Sequence, residues 1–133
     1  MTKQTLRKRL TYYWKPTLWV IIMCYGMFTK RTMQEEPWLN IPNLDKYIHF
    51  LMFFGLTLLL ESGFEKISGK AQYLRTYLYA FGFACLSELI QLLFISGRSG
   101  DVKDLMADTA GIVCALFAWY YVISKKKWIR RLL

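Results

Sequence analysis

The stretch from Thr76 to Ser96, TYLYAFGFACLSELIQLLFIS, decides the fold. It runs for 21 residues with only Glu88 and Gln91 strongly polar, matching the roughly 20 apolar residues that a helix needs to cross a bilayer. Leu105 to Ser124 repeats the pattern over 20 residues, with Asp108 its one charge. Two shorter apolar blocks, Pro16 to Phe28 and Tyr47 to Leu60, precede them. Tyr12, Tyr13 and Trp14 supply interfacial aromatics before the first block, and Glu61 to Phe64 can extend the second toward headgroups. The expectation is an all-α, four-helix transmembrane bundle in a single domain, 1–133. Its spans fall at about 14–30, 46–63, 74–96 and 103–124.

Composition agrees with this reading. The 133 residues are 55% hydrophobic and 17% aromatic, above the roughly 45–50% apolar content of a soluble domain. That content excludes intrinsic disorder, and the length excludes a large two-domain soluble enzyme. Cys24, Cys85 and Cys114 lie at wide spacing inside apolar runs, which fits neither a zinc motif nor a disulfide framework. They read as packing residues.

Eighteen Lys and Arg against nine acids leave a net charge of +9, and the position of these cations sets the topology. Residues 1–15 carry five, the 61–75 connection three and the tail after Ser124 five. The alternate side carries only Lys30, Arg31, Lys46, Arg98 and Lys103. Basic residues resist translocation, so both termini are expected in the cytoplasm, with the 29–46 and 97–103 loops outside. The first apolar block follows a basic segment but has no small-x-small cleavage site, so it is expected to stay as a signal anchor. Anionic lipid attracts such basic ends, and the excess is no sign of nucleic-acid binding. Pro37, Pro42 and Asn43 mark an irregular first outer loop, while Ser96-Gly97 and Ser99-Gly100 mark a tight second turn. Glu35 and Glu36 read as a solvated part of the first.

The informative residues are those whose charge conflicts with that setting. Asp45, Lys46 and His49 stand at the outer start of the second span, Glu88 and Gln91 in the outer half of the third, and Arg98, Asp101, Asp104 and Asp108 at the turn into the fourth. Every aspartate and the one histidine fall in this layer. Asp45 and His49 are i, i+4, Glu88 and Gln91 are i, i+3, and the three late aspartates run i, i+3, i+7, so each set can share a face. Glu88 would lie on the order of 12 Å below its helix end, the deepest of the group. Such a charge costs a few kcal/mol and calls for a partner, a water cavity or neutralisation. Two arrangements satisfy it: an outward-facing polar pocket, or an ion-pair network in which Arg98 and Lys46 lock the helices together.

Read in order, Asp45-Lys46-x-x-His49-Phe50, Glu88-x-x-Gln91 and Arg98-x-x-Asp101-x-x-Asp104-x-x-x-Asp108-x-x-Gly111 resemble the VanZ-like family of small bacterial integral membrane proteins over residues from about 40 to 120. The pattern it resembles usually carries asparagine where this chain has Asp108. The resemblance implies a multi-pass cell-envelope protein, in a family named for an accessory factor of low-level resistance to teicoplanin, a lipid-tailed glycopeptide antibiotic. It leaves the biochemical activity open. The residues it carries over are Asp45, Lys46, His49, Glu88, Gln91, Arg98, Asp104 and, altered, Asp108.

Two functions fit such a pocket, and a third fits it poorly. An enzyme acting on a lipid-linked headgroup would use Asp45, His49, Glu88 and Asp104 as its catalytic groups, with His49 the natural acid or base near neutral pH. Lys46, Gln91, Arg98, Asp101 and Asp108 would bind substrate, Arg98 taking a phosphate or carboxylate bidentately. A divalent cation such as magnesium on Asp101, Asp104 or Asp108 would suit a phosphate substrate, whereas one histidine does not suit zinc. A binding protein for a cationic or amphipathic ligand, including a lipopeptide, would need the carboxylates alone. An ion path finds no route to the cytoplasm in this pattern. Membrane lipids are the expected partners. Gly55, Gly82 and Gly111 would serve close helix contacts within one chain or between copies alike.

Overall fold

The computed structural model describes residues 3–28, 43–94 and 102–133. Arg98, Asp101 and most of the 29–46 and 97–103 loops, Glu35 and Glu36 included, lie outside the described residues. Among those described, the chain is all helix: α1 (Lys3–Phe28), α2 (Leu44–Ser68), α3 (Tyr73–Phe94), α4 (Val102–Ala118) and a short α5 (Lys127–Leu132). α4 continues as a π-helical segment, Trp119–Ile123. Three elements are long and apolar enough to cross a membrane: Leu44–Ser68, Tyr73–Phe94 and Val102–Ile123. With α1 they form a bundle of four long helices.

Local chemistry accounts for both ends of α2. α2 follows Asn43, in the left-handed region at φ 62°, and stops at Gly69, φ 76°, whose N–H donates to the Glu65 carbonyl at 2.8 Å. Glycine takes that conformation without the steric cost a Cβ would bring. α1 runs unbroken from Lys3, well before the expected start near residue 14, although Pro16 lies inside it. Proline cannot donate to the carbonyl four residues back, here that of Tyr12. α2 packs against this weak turn: a Cβ on Gly63 would meet the Tyr12 oxygen at 3.3 Å and the Tyr13 ring at 3.2 Å.

α2 is the central element, touching α1, α3 and α4. Met23 and Met27, Phe53 and Leu56, Ala80 and Ala84, and Ile112 make the buried core, two residues each from α1, α2 and α3 and one from α4. The α2–α4 contact is the tightest, since a Cβ on Gly111 would fall 2.4 Å from the Phe50 carbonyl oxygen. Small residues permit such backbone approach in membranes, where packing drives helix association. Gly55 likewise seats the Trp19 ring, but Gly82 faces open space. Two of the three glycines therefore serve contacts within the chain.

The outward face of α3 is apolar along its length, with Leu74, Leu78, Leu86, Leu89, Leu93 and Phe94 exposed. An exposed face of this kind, over a buried side that carries Thr76, Ser87, Glu88 and Gln91, suits lipid surroundings. Cys85 and Cys114 share this outward exposure instead of packing the core, and all three cysteines are free thiols.

Glu61 to Phe64, expected to reach toward headgroups, are all buried in the bundle, because α2 continues to Ser68. Both termini lie at this same end, where the Lys15 ammonium donates to the Leu132 carbonyl. The opposite end, where α1 and α3 finish and α2 and α4 begin, carries the polar layer.

Candidate functional site

Three helices bring the polar layer together. His49, one turn into α2, is 1% exposed, and Asp108, two turns into α4, is fully buried. The imidazole Nδ1 stands 2.9 Å from Asp108 Oδ1 and 3.7 Å from Glu88 Oε1 on α3. One turn toward the rim, Lys46 Nζ pairs with Asp104 Oδ1 at 3.3 Å. Asp45 stands at the open edge, with its donor atom, that of His49 and that of Asp104 within 4.8 Å of one another. The donors of His49, Glu88 and Asp108 form a second set of the same span. One imidazole thus stands between two carboxylate pairs.

Helical spacing accounts for this convergence. Asp104 and Asp108 are four apart and both buried, as Glu88 and Gln91 are three apart and both buried. The close approach of α2 and α4 at Phe50 and Gly111 brings His49, next to Phe50, within hydrogen-bonding range of Asp108, one turn before Gly111. Glu88 is 8% exposed and Asp104 7%, so Asp108 is the most enclosed acid of the layer.

The hydrogen bond fixes what the imidazole can do. An ionised Asp108 accepts from Nδ1–H, and this tautomer leaves the lone pair on Nε2. Nε2 and Asp108 Oδ2 are both buried without a hydrogen-bond partner among the described residues. Buried polar atoms are nearly always satisfied, and an exception points to a ligand, water or ion. An asparagine at 108 would also offer an acceptor oxygen to Nδ1–H, so aspartate there keeps that bond and replaces an amide with an ionisable carboxyl. The donor sets combine one nitrogen with carboxylate oxygens, a chemistry that suits a divalent cation. Asp104 and Asp108 belong to different sets joined through His49, so a cation on either aspartate would have the imidazole as neighbour.

Gln91 has a structural engagement: its amide nitrogen donates to the Met27 carbonyl at 3.1 Å, tying α3 to the end of α1. Asp45, Lys46, His49, Glu88, Asp104 and Asp108 are gathered in one place, and Gln91 borders them.

A second carboxylate cluster lies at the terminal end and escaped the sequence reading. Glu61 is fully buried and accepts from the Gln72 N–H at 2.7 Å and from the Thr76 hydroxyl. Glu65, one turn on, accepts from the Trp119 indole N–H at 2.9 Å and from Arg130. The signal was available: Glu61 and Glu65 are i, i+4 and enclose Ser62, Gly63 and Phe64, small and apolar residues suited to an interior face.

A family model described as VanZ/LLP1 matches the chain over residues 3–124. Neither a curated protein nor a solved structure gives a match.

Proposed function

The chain belongs to the VanZ/LLP1 family and is a membrane protein of that kind, and from this premise we propose that its polar layer acts on or recognises a lipid-linked or lipopeptide molecule of the cell envelope at the outer face of the membrane. One observation carries the reading: the 2.9 Å contact between His49 and Asp108, with Glu88 at 3.7 Å, enclosed at one end of the bundle. A purely structural role is more simply filled by apolar side chains.

In this reading Asp108 orients the ring and His49 Nε2 takes a proton from a hydroxyl or amine of the headgroup. The imidazolium so formed is stabilised by Asp108 and Glu88, and can return the proton to a leaving group. Asp104, Asp45 and Lys46 at the rim meet the headgroup, while an acyl tail lies along the apolar outer surface of α3. Arg98 and Asp101 belong to the same proposal as substrate-binding groups. A divalent cation in either donor set would polarise a phosphoryl or carbonyl oxygen. Resistance to a lipid-tailed glycopeptide would then follow from altering, or from holding, an envelope component.

Mass spectrometry of lipid extracts from cells with the protein, without it and with His49→Ala tests the reading. A carrier or headgroup species that changes with the parent protein and reverts with H49A supports catalysis. A lipid that copurifies unaltered and is lost with H49A supports recognition without chemistry. Identical extracts and no retained lipid would remove both.

The helix-locking alternative is favoured by a different observation, the Lys46–Asp104 pair at 3.3 Å. It requires that loss of these charges unfold the bundle, a consequence the acid–base reading does not share.

A further inference from the structure

At the end carrying both termini, a cavity of about 440 Å³ is lined by Ser62, Glu65 and Lys66 of α2, Trp119 after α4, and Lys127, Arg130 and Arg131 of α5. We propose that it binds a phosphate group, presented as the headgroup of an anionic phospholipid in the leaflet on that side.

Charge is the first support. Four cationic side chains surround one carboxylate, and Glu65 is already engaged by the Trp119 indole and the Arg130 guanidinium. Lys66, Lys127 and Arg131 make no ion pair among the described residues. Arg130 uses part of a five-donor fork on Glu65, which fixes the guanidinium at the cavity wall. The remaining donors suit a planar, bidentate grip on phosphate oxygens.

Ser62 is the second and independent support. Its hydroxyl is buried, the residue 2% exposed, with no hydrogen-bond partner among the described residues. The other helical hydroxyls of α2 behave differently: Thr57 and Ser68 each donate to the carbonyl four residues back at 2.7 Å. Ser62 forgoes that bond and lines the cavity, where an acceptor oxygen would satisfy it.

The walls explain why the occupant is a lipid. Ser62 and Trp119 belong to membrane-crossing elements, while α5 closes the cavity from the tail. Tyr120, Tyr121 and Val122, next to Trp119, are exposed and aromatic or apolar, a surface along which acyl chains can run from a headgroup held inside. The π-helical turn at Trp119–Ile123 is itself a feature that recurs at functional positions.

Native mass spectrometry of the purified full chain in detergent micelles, titrated with dioleoyl phosphatidylglycerol, dioleoyl phosphatidylcholine or inorganic phosphate, tests the assignment. The zwitterionic lipid should bind about tenfold more weakly than the anionic one. The pair Lys66→Gln/Arg131→Gln should lower phosphatidylglycerol affinity by about tenfold or more. The charge-matched pair Lys70→Gln/Lys125→Gln, outside the cavity, should change it less than about twofold. Ser62→Ala should weaken binding while leaving lipid-free thermal stability unchanged or higher, since it removes an unsatisfied buried hydroxyl. Equal losses for the two charge-matched pairs would reduce the effect to diffuse surface charge and overturn the site. Millimolar inorganic phosphate that displaces the lipid, with no preference between the two lipids, would place the ligand in the aqueous phase and overturn the lipid assignment.

Discussion

His49 on α2 and Asp108 on α4 are joined at 2.9 Å across the same helix pair whose backbones come closest, at Phe50 and Gly111. The one imidazole of the chain is therefore held by an acid that a glycine, one turn further on, brings within reach.

Removing one partner of that bond leaves the other buried and unsatisfied, which costs about 1–3 kcal/mol. Asp108→Ala should destabilise the helical bundle by that amount in mixed-micelle denaturation followed by circular dichroism. Asp108→Asn, which keeps an acceptor oxygen, should stay within about 1 kcal/mol of the parent. An alanine variant as stable as the parent would show that the two side chains are not coupled.

Lys46 and Asp104 are a different kind of pair, with the lysine side chain 29% exposed. Partly solvated ion pairs contribute about 0–1 kcal/mol. A double-mutant cycle with Lys46→Gln and Asp104→Asn should yield a coupling energy in that range, with the variants still folded. A coupling of several kcal/mol, or loss of folding in either single variant, would favour the helix-locking reading.

Gly111→Ala places a Cβ 2.4 Å from the Phe50 carbonyl oxygen, in backbone that cannot yield without moving a helix. Overpacking of this kind costs about 1–3 kcal/mol. Gly82→Ala meets nothing within 4 Å and should be neutral or stabilising, as alanine exceeds glycine in helix propensity by about 1 kcal/mol. Thermal melts of the two variants should separate in opposite directions, and a Gly111→Ala melt at the parent temperature would contradict the contact.

The proposed outer-face site also requires a topology. The thirteen basic residues in residues 1–15, 61–75 and the tail predict that a fluorescent-protein fusion after Leu133 is fluorescent, and that alkaline phosphatase inserted near Glu35 is active. The reverse pattern would put the His49 layer in the cytosol and remove the proposed substrate from its reach.

Glu61 shows where the one-dimensional reading stops. It ends the apolar block Tyr47 to Leu60, and a charge after such a block reads as an exit toward headgroups. The helix instead continues to Ser68, and Gln72, just before α3, supplies the N–H and Thr76 in α3 the hydroxyl that the carboxylate accepts. Neither donor is visible as a partner in a linear scan, because the Gly69 turn folds them back. Gln91 is a similar case. Its i, i+3 relation to Glu88 correctly puts both in the interior, but its amide reaches the Met27 carbonyl on α1.

What the sequence determined by itself is what local composition and helical period encode: four helices, an apolar exterior, and a layer of aspartates, glutamate and histidine confined to one end. What only the tertiary structure decided is pairing. His49 could share a face with Asp45 one turn before it, yet it bonds to Asp108, fifty-nine positions away. The choice depends on the rotation and separation of α2 and α4, which come from packing at Gly111 and Phe50. Such contacts join residues distant along the chain, and helical spacing within one segment carries no record of them.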